Sequence, residues 1–105
     1  MAARIHLIEK QGLMAPVEKG SMIYESGYWD VSQSTAQKLV GGEILFHKKQ
    51  AEPAYFGGVI RSFRVQTDGK WLGRIVFCFA ADPVRFRGES AGRGGWSMEM
   101  KTILP

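Results

Sequence analysis

The chain has 105 residues, 45% hydrophobic, 23% charged and 11% aromatic, the proportions of one ordinary small domain with a core of its own and no room for two. Six Phe, three Trp and three Tyr exclude a disordered chain, and no run nears the roughly 18 apolar residues of a membrane span or forms the apolar stretch of a secretory signal. A single cysteine rules out an internal disulfide and a CxxC metal pair, which suits a reducing, by default cytoplasmic, setting; 14 Lys and Arg against 10 Asp and Glu leave a formal charge of +4 that favours polyanions without requiring them.

Taken in chain order, periodicity points to strands almost everywhere. Arg4–Lys10 alternates Ile5 and Leu7 against His6 and Ile8, and a turn-rich stretch with Gly12, Pro16 and Gly20 follows. Met22–Val31 is an aromatic-rich strand in which Gly27 marks a bulge or bend. The one convincing helix begins at Ser34, whose S-x-x-Q spacing to Gln37 is that of a capping box; Ala36, Leu39 and Val40 share a face, and Gly41-Gly42 stops it after two turns. Strand Glu43–Lys48 comes next, then a loop with Pro53 and Gly57-Gly58. Val59–Thr67 and Trp71–Ala81 are joined through Asp68-Gly69, a pair suited to the positive φ angles of a two-residue type I′ hairpin. A glycine-rich loop over residues 91–95 leads to a last strand alternating Trp96, Met98 and Met100 against Ser97 and Glu99. The fold expected is mainly β (α+β): a single small domain, an antiparallel, partly open β-barrel of about six strands, with the short helix plugging an opening.

A two-residue turn at Asp68-Gly69 pairs Val65 with Leu72, Phe63 with Arg74, Arg61 with Val76 and Val59 with Cys78. Arg61 and Arg74 then become diagonal neighbours on a largely apolar face, where an unpaired guanidinium is costly. Three solutions stand open: an anion pocket at the barrel rim, pairing with an internal acid such as Glu43, or a bulge at Gly73 that turns Arg74 to water.

No catalytic constellation is visible. The two histidines, His6 and His47, have no third ligand at metal spacing, and His47 reads either as a polar residue of a half-exposed strand or as a general base beside Lys48 and Lys49. Cys78, inside IVFCFAA, reads as a small buried hydrophobe. The serines lack a G-x-S-x-G elbow, and the glycine pairs match neither a P-loop nor G-x-G-x-x-G. No cofactor is implied. More telling are aromatics at loops and strand ends: Tyr24, Tyr28 and Trp29 at one bend, Tyr55 and Phe56 in the proline loop, and Trp71 after the hairpin. With Arg61, Arg64, Arg74, Arg85 and Arg87 nearby, these supply what base stacking and phosphate contact require. Trp29 also reads as core, as strand tryptophans mostly are.

The order GYWDVS, STAQKLV, GGEILFH, a proline loop and FGGVIRSFRV resembles the PUA-like group of small barrels, especially its EVE and ASCH branches. There a Trp-bearing strand leads into a helix, then a strand after a G-[DE]-x-[IVL] turn, here Gly42-Glu43-Ile44-Leu45, and a G-x-I-x-x-F strand, here Gly58 to Phe63. The resemblance covers roughly residues 27–87. It implies an RNA- or DNA-binding domain, in some members a reader of modified bases, with Trp29, the Tyr55-Phe56 loop and Arg61 near the pocket. The G-x-K-x-x-E-x-R signature of ASCH proteins is absent, so no nuclease activity is carried over.

These observations favour a non-enzymatic nucleic-acid-binding module in which Arg61, Arg64 and Arg74 contact phosphate while Trp29, Tyr55 and Phe56 stack on a base. The alternative is a small-ligand- or protein-binding barrel, homodimeric through the C-terminal strand. An enzyme using His47, Glu43 and a lysine is the third reading.

Overall fold

A computed structural model describes residues 3–9, 14–92 and 94–104; Lys10, Gly12 and Arg93, which belong to the expected first strand, turn and glycine loop, lie outside them. The elements are β1 (Arg4–Ile8), β2 (Ala15–Pro16), β3 (Ile23–Trp29), α1 (Gln33–Leu39), β4 (Glu43–His47), β5 (Phe56–Val65), β6 (Ile75–Ala81), α2 (Pro83–Phe86) and β7 (Met100–Ile103). The strands form one sheet in the order β2-β3-β6-β5-β4-β1-β7. The protein is mainly β, as expected, but the sheet is mixed rather than antiparallel. β1 runs parallel to β4, joined to it through β3 and α1 in the long crossover that parallel neighbours need. The two end strands, β2 and β7, are not paired with each other, so the sheet is open.

The inner face carries the core: Ile5 and Leu7 of β1, Ile44 and Phe46 of β4, Ile60 of β5, and Ile75, Phe77 and Phe79 of β6, closed over by Ala36 and Leu39 of α1. A smaller cluster on the outer face joins Leu45, Ala54 and Phe86. β1 and β4 are covered on both sides, so the alternation expected for Arg4–Lys10 does not put His6 and Ile8 in water; both are buried.

Four local expectations change. The helix begins two residues early: Ser32, not Ser34, is the N-cap, its hydroxyl accepting from the Thr35 N–H at 3.1 Å, and Val40 is the exposed C-cap rather than part of the buried face. The hairpin after β5 is longer than two residues. Gln66 and Gly73–Arg74 close it by backbone bonds, with Gly69 and Gly73 both at positive φ. The last strand is short, because Ser97 and Met100 close a tight turn by mutual backbone bonds, with Met98 inside it at φ 56°. Finally, Phe56 and Gly57-Gly58 begin β5 instead of ending a loop. A Cβ on Gly57 would meet the Ile44 carbonyl oxygen at 2.6 Å and Phe86 Cβ at 2.9 Å, so the glycine serves close packing of strand and α2 rather than a turn.

Register decides where the arginines go. β5 and β6 pair Val65 with Ile75, Phe63 with Phe77 and Ser62 with Cys78, and a shift between Ile60 and Ser62 leaves Arg61 as the extra residue of a bulge. Ile60, Phe63 and Val65 therefore share the core face with Ile75, Phe77 and Phe79. The expected placing of Arg61 and Arg74 as diagonal neighbours on an apolar face does not occur. Arg61 points out from the bulge and is exposed, and Arg74 lies before β6 in the hairpin loop. Glu43, offered as their partner, is instead bonded by Arg4 Nε at 2.8 Å and Arg85 Nη2 at 2.6 Å.

Candidate functional site

A cleft of about 530 Å³ is lined by Tyr28, Trp29, Asp30, Trp71, Arg74 and residues Ser97 to Met100. Its walls come from β3, near one end of the sheet, and from β7 and the turn before it, at the other end. The cleft is thus the seam across which the curled sheet fails to close.

Each wall has a local cause. In β3 the pairing with β6 slips between Ser26 and Trp29; the Gly27–Tyr28 peptide is cis, and Gly27 is required there because a Cβ would meet Val76 Cγ2 at 2.8 Å. This is the bulge that Gly27 announced. Past it, Trp29 is half-buried, packs against the core and donates its indole N–H to Ser26 Oγ at 3.0 Å. Tyr28 meets Trp71 from the hairpin loop, their rings parallel with centroids 5.8 Å apart. Arg74 and Lys70 approach the same indole at 5.6 Å and 5.0 Å from its centroid, contacts worth roughly 0.5–1 kcal/mol each at an exposed site. The third wall is held by the Ile8 N–H on the Glu99 carbonyl at 2.9 Å and by Gln50 Nε2 on the Met98 carbonyl at 2.8 Å. Trp71 is 38% and Met98 88% exposed, so the mouth of the cleft is apolar and open to water.

The expected site residues do not all meet here. Trp29 and Arg74 line the cleft. Tyr55 and Phe56 line a separate recess of about 280 Å³ with Met14, Tyr24 and Lys48. Neither is a free loop aromatic: Phe56 packs on Tyr24 and Phe79, and the Tyr55 hydroxyl donates to the Glu9 carbonyl at 2.9 Å, with burial first and the Glu9 charge second pushing its pKa up to about 12. Arg64 lines a third recess, of about 300 Å³, and is engaged by Glu25 at 3.5 Å and Gln66 at 2.7 Å. Arg61 lines none of the three. Tyr28 was visible as part of the bend aromatics, and Trp71 as a loop aromatic; the contribution of Asp30 and Glu99 was not, since nothing local brings residues 30 and 99 together.

On the outer face lies an arrangement that periodicity missed. His6 Nδ1 is 2.9 Å from His47 Nε2, and His47 Nδ1 is 2.9 Å from the Glu52 carbonyl. A carbonyl only accepts, so His47 Nδ1 carries the proton, its Nε2 is the acceptor, and His6 Nδ1 donates to it. Trp96 covers both rings, edge-on to His47 at 5.8 Å. Burial first, then the charges of His47, Arg4 and Lys101, lower the His6 pKa to about 4; burial also lowers His47, against the opposing bond to Glu52. His47 is therefore a buried neutral ring with both nitrogens engaged, not a half-exposed strand residue and not a base presented to a substrate. Among the described residues no three His, Cys, Asp or Glu side chains come together as a metal site. No helix among them is long and apolar enough to cross a membrane.

Comparison with protein-family models, with curated proteins and with solved structures gives no match.

Proposed function

We propose that the protein is a non-enzymatic nucleic-acid-binding module, of the kind its PUA-like sequence features suggest, which takes an unstacked base of RNA or DNA into the seam cleft. The observation that carries this reading is the meeting of Tyr28, Trp29 and Trp71 with Arg74 and Lys70 at one open mouth. Flat apolar rings beside fixed cations serve a base and its phosphate together, and stacking is worth about 1–3 kcal/mol per base. Trp71 is the stacking surface, Trp29 forms the inner wall, and Arg74 with Lys70 neutralises the backbone. Tyr55 and Phe56, in a recess of their own, have no part in that contact, and neither does Arg61.

Intrinsic tryptophan fluorescence, titrated with single-stranded RNA, single-stranded DNA and duplex DNA at low and near-physiological salt, tests it. Quenching that survives the higher salt and favours a single strand supports the reading. No response, or binding of every oligonucleotide alike that modest salt abolishes, overturns it. A second reading, a homodimer formed through the C-terminal strand, has one observation in its favour: β7 is an end strand of the sheet, with an unpaired edge of the kind that adds strands. Molar mass by light scattering across a concentration series decides it, a mass of one chain throughout excluding the dimer.

A further inference from the structure

The cleft combines features that phosphate binding alone does not explain. Beside its rings stand two exposed carboxylates, Asp30 and Glu99, with no hydrogen-bond or ion-pair partner among the described residues. Elsewhere Glu43 holds Arg4 and Arg85, and Glu25 holds Arg64. Arg74 shares the cleft, yet its guanidinium lies over Trp71 rather than on either acid. A free carboxylate repels a polyanion, so in this position it lowers affinity unless the ligand brings N–H donors to it.

The common bases differ sharply in what they offer such a group. A carboxylate only accepts, through two oxygens side by side. Uracil and thymine present one ring N–H between two carbonyls, which repel it. Cytosine and adenine present an amino group beside an unprotonated ring nitrogen, whose lone pair faces the second oxygen. Guanine alone presents two adjacent donors, the N1–H and the 2-amino group, in the forked arrangement that makes guanidinium–carboxylate pairs strong.

We infer that the cleft is selective for guanine in a single strand, the base lying on the Trp71 ring with its N1–H and 2-amino group donated as a fork to one rim carboxylate, Asp30 or Glu99. This deepens the nucleic-acid reading and rests on it. Both acids are set on anchored main chain, Asp30 directly after β3 and Glu99 through its carbonyl bond from Ile8. Neither supports the core, so both can be replaced without loss of the fold.

The test uses pentanucleotides that differ only at the centre, UUGUU, UUIUU, UUAUU, UUCUU and UUUUU, and their thymine-containing DNA counterparts, followed by tryptophan fluorescence. The G strand binds about tenfold more tightly than the A, C or U strands, a good bidentate contact to a base being worth about that discrimination or more. Inosine, which keeps N1–H but lacks the 2-amino group, falls between. In the double variant Asp30→Asn, Glu99→Gln the preference shrinks to about twofold or less while circular dichroism is unchanged; the single variants then show which carboxylate takes the fork. Equal binding of all strands overturns the guanine inference and leaves the stacking site standing. A preference that survives in the double variant overturns the role of the carboxylates. Absence of quenching by every strand overturns the nucleic-acid reading itself, and this inference with it.

Discussion

Trp29 and Trp71 stand in one cleft but do different work, and substitution separates them. Trp29 is half-buried against the core and bonded to Ser26, whereas Trp71 is 38% exposed in the hairpin loop and contacts Tyr28, Lys70 and Arg74. Trp71→Ala lowers oligonucleotide affinity about tenfold, the loss of one stacked base, and leaves the melting temperature within a few degrees of the parent. Trp29→Ala lowers the melting temperature as well, since large-to-small changes against a core cost about 3 kcal/mol when fully buried and a fraction of that when half-buried. Titrations and thermal melts of both variants check this; an unchanged affinity in folded Trp71→Ala removes that ring from the site. The histidine pair gives a second prediction at this scale. His6 holds its proton only below about pH 4 in the folded chain, while an unfolded histidine binds one below about 6.5. Protons therefore favour the unfolded state across that interval. Stability is full above pH 6.5 and declines as pH falls toward 4, by up to about 3 kcal/mol from His6, with His47 acting in the same direction. Urea melts between pH 7.5 and 5, above the range where ordinary carboxylates titrate, show this slope. His6→Leu is less stable at neutral pH, because it orphans His47 Nε2, but its stability depends less on pH in that window. A slope identical to the parent's assigns the acid sensitivity elsewhere.

At the scale of elements, α1 offers a direct test of how its start is specified. Ser32 and Ser34 both precede the apolar face, and the Ser34-x-x-Gln37 spacing is the more conspicuous in sequence; in the structure it is the Ser32 hydroxyl that accepts the Thr35 N–H, while Ser34 is inside the helix. Ser32→Ala lowers stability by about 1 kcal/mol and Ser34→Ala leaves it near the parent value, because the Ser34 hydroxyl takes no part in the cap. Chemical denaturation of the two variants, side by side, checks it, and equal losses remove the assignment of the cap. The case shows what was legible and what was not. Strand after strand could be read from alternation, and the bulge at Gly27 from a glycine amid aromatics, because those signals are local. The Asp68-Gly69 pair correctly marked a hairpin, but its length is set by the packing of Phe63 and Val65 beside Ile75 and Phe77, an agreement between faces that dipeptide preference does not encode. Taking it as a two-residue turn displaced the register, and with it Arg61 and Arg74. The one-turn α2 did carry a signal, Asp82 as N-cap with Pro83 at the first helical position, overshadowed by the apolar run before it.

For the molecule as a whole, the parallel pairing of β1 with β4 and the placing of β7 beyond β1 create two features that local reading missed: the His6–His47 bond, and the approach of residues 97–100 to residues 28–30. The same long-range arrangement redistributes the charge. The formal +4 suggests a broadly basic surface, yet Arg4 and Arg85 are bound to Glu43, Arg64 faces Glu25, and Lys101 donates to the Ala91 carbonyl. At the cleft the cations are Lys70 and Arg74. Counterion release then fixes a salt dependence: for a single strand the slope of log K against log salt is about −0.7 per neutralised phosphate, so two contacts give about −1.4 rather than the much steeper slope expected if most of the fourteen cations took part. Affinity measured from low to near-physiological salt yields the slope directly. Arg74→Ala and Lys70→Ala each flatten it by about 0.7, whereas Arg61→Ala, on a bulge that borders none of the three recesses, leaves it unchanged. A slope that follows Arg61 instead moves the phosphate path to the bulge of β5 and detaches the backbone contact from the cleft.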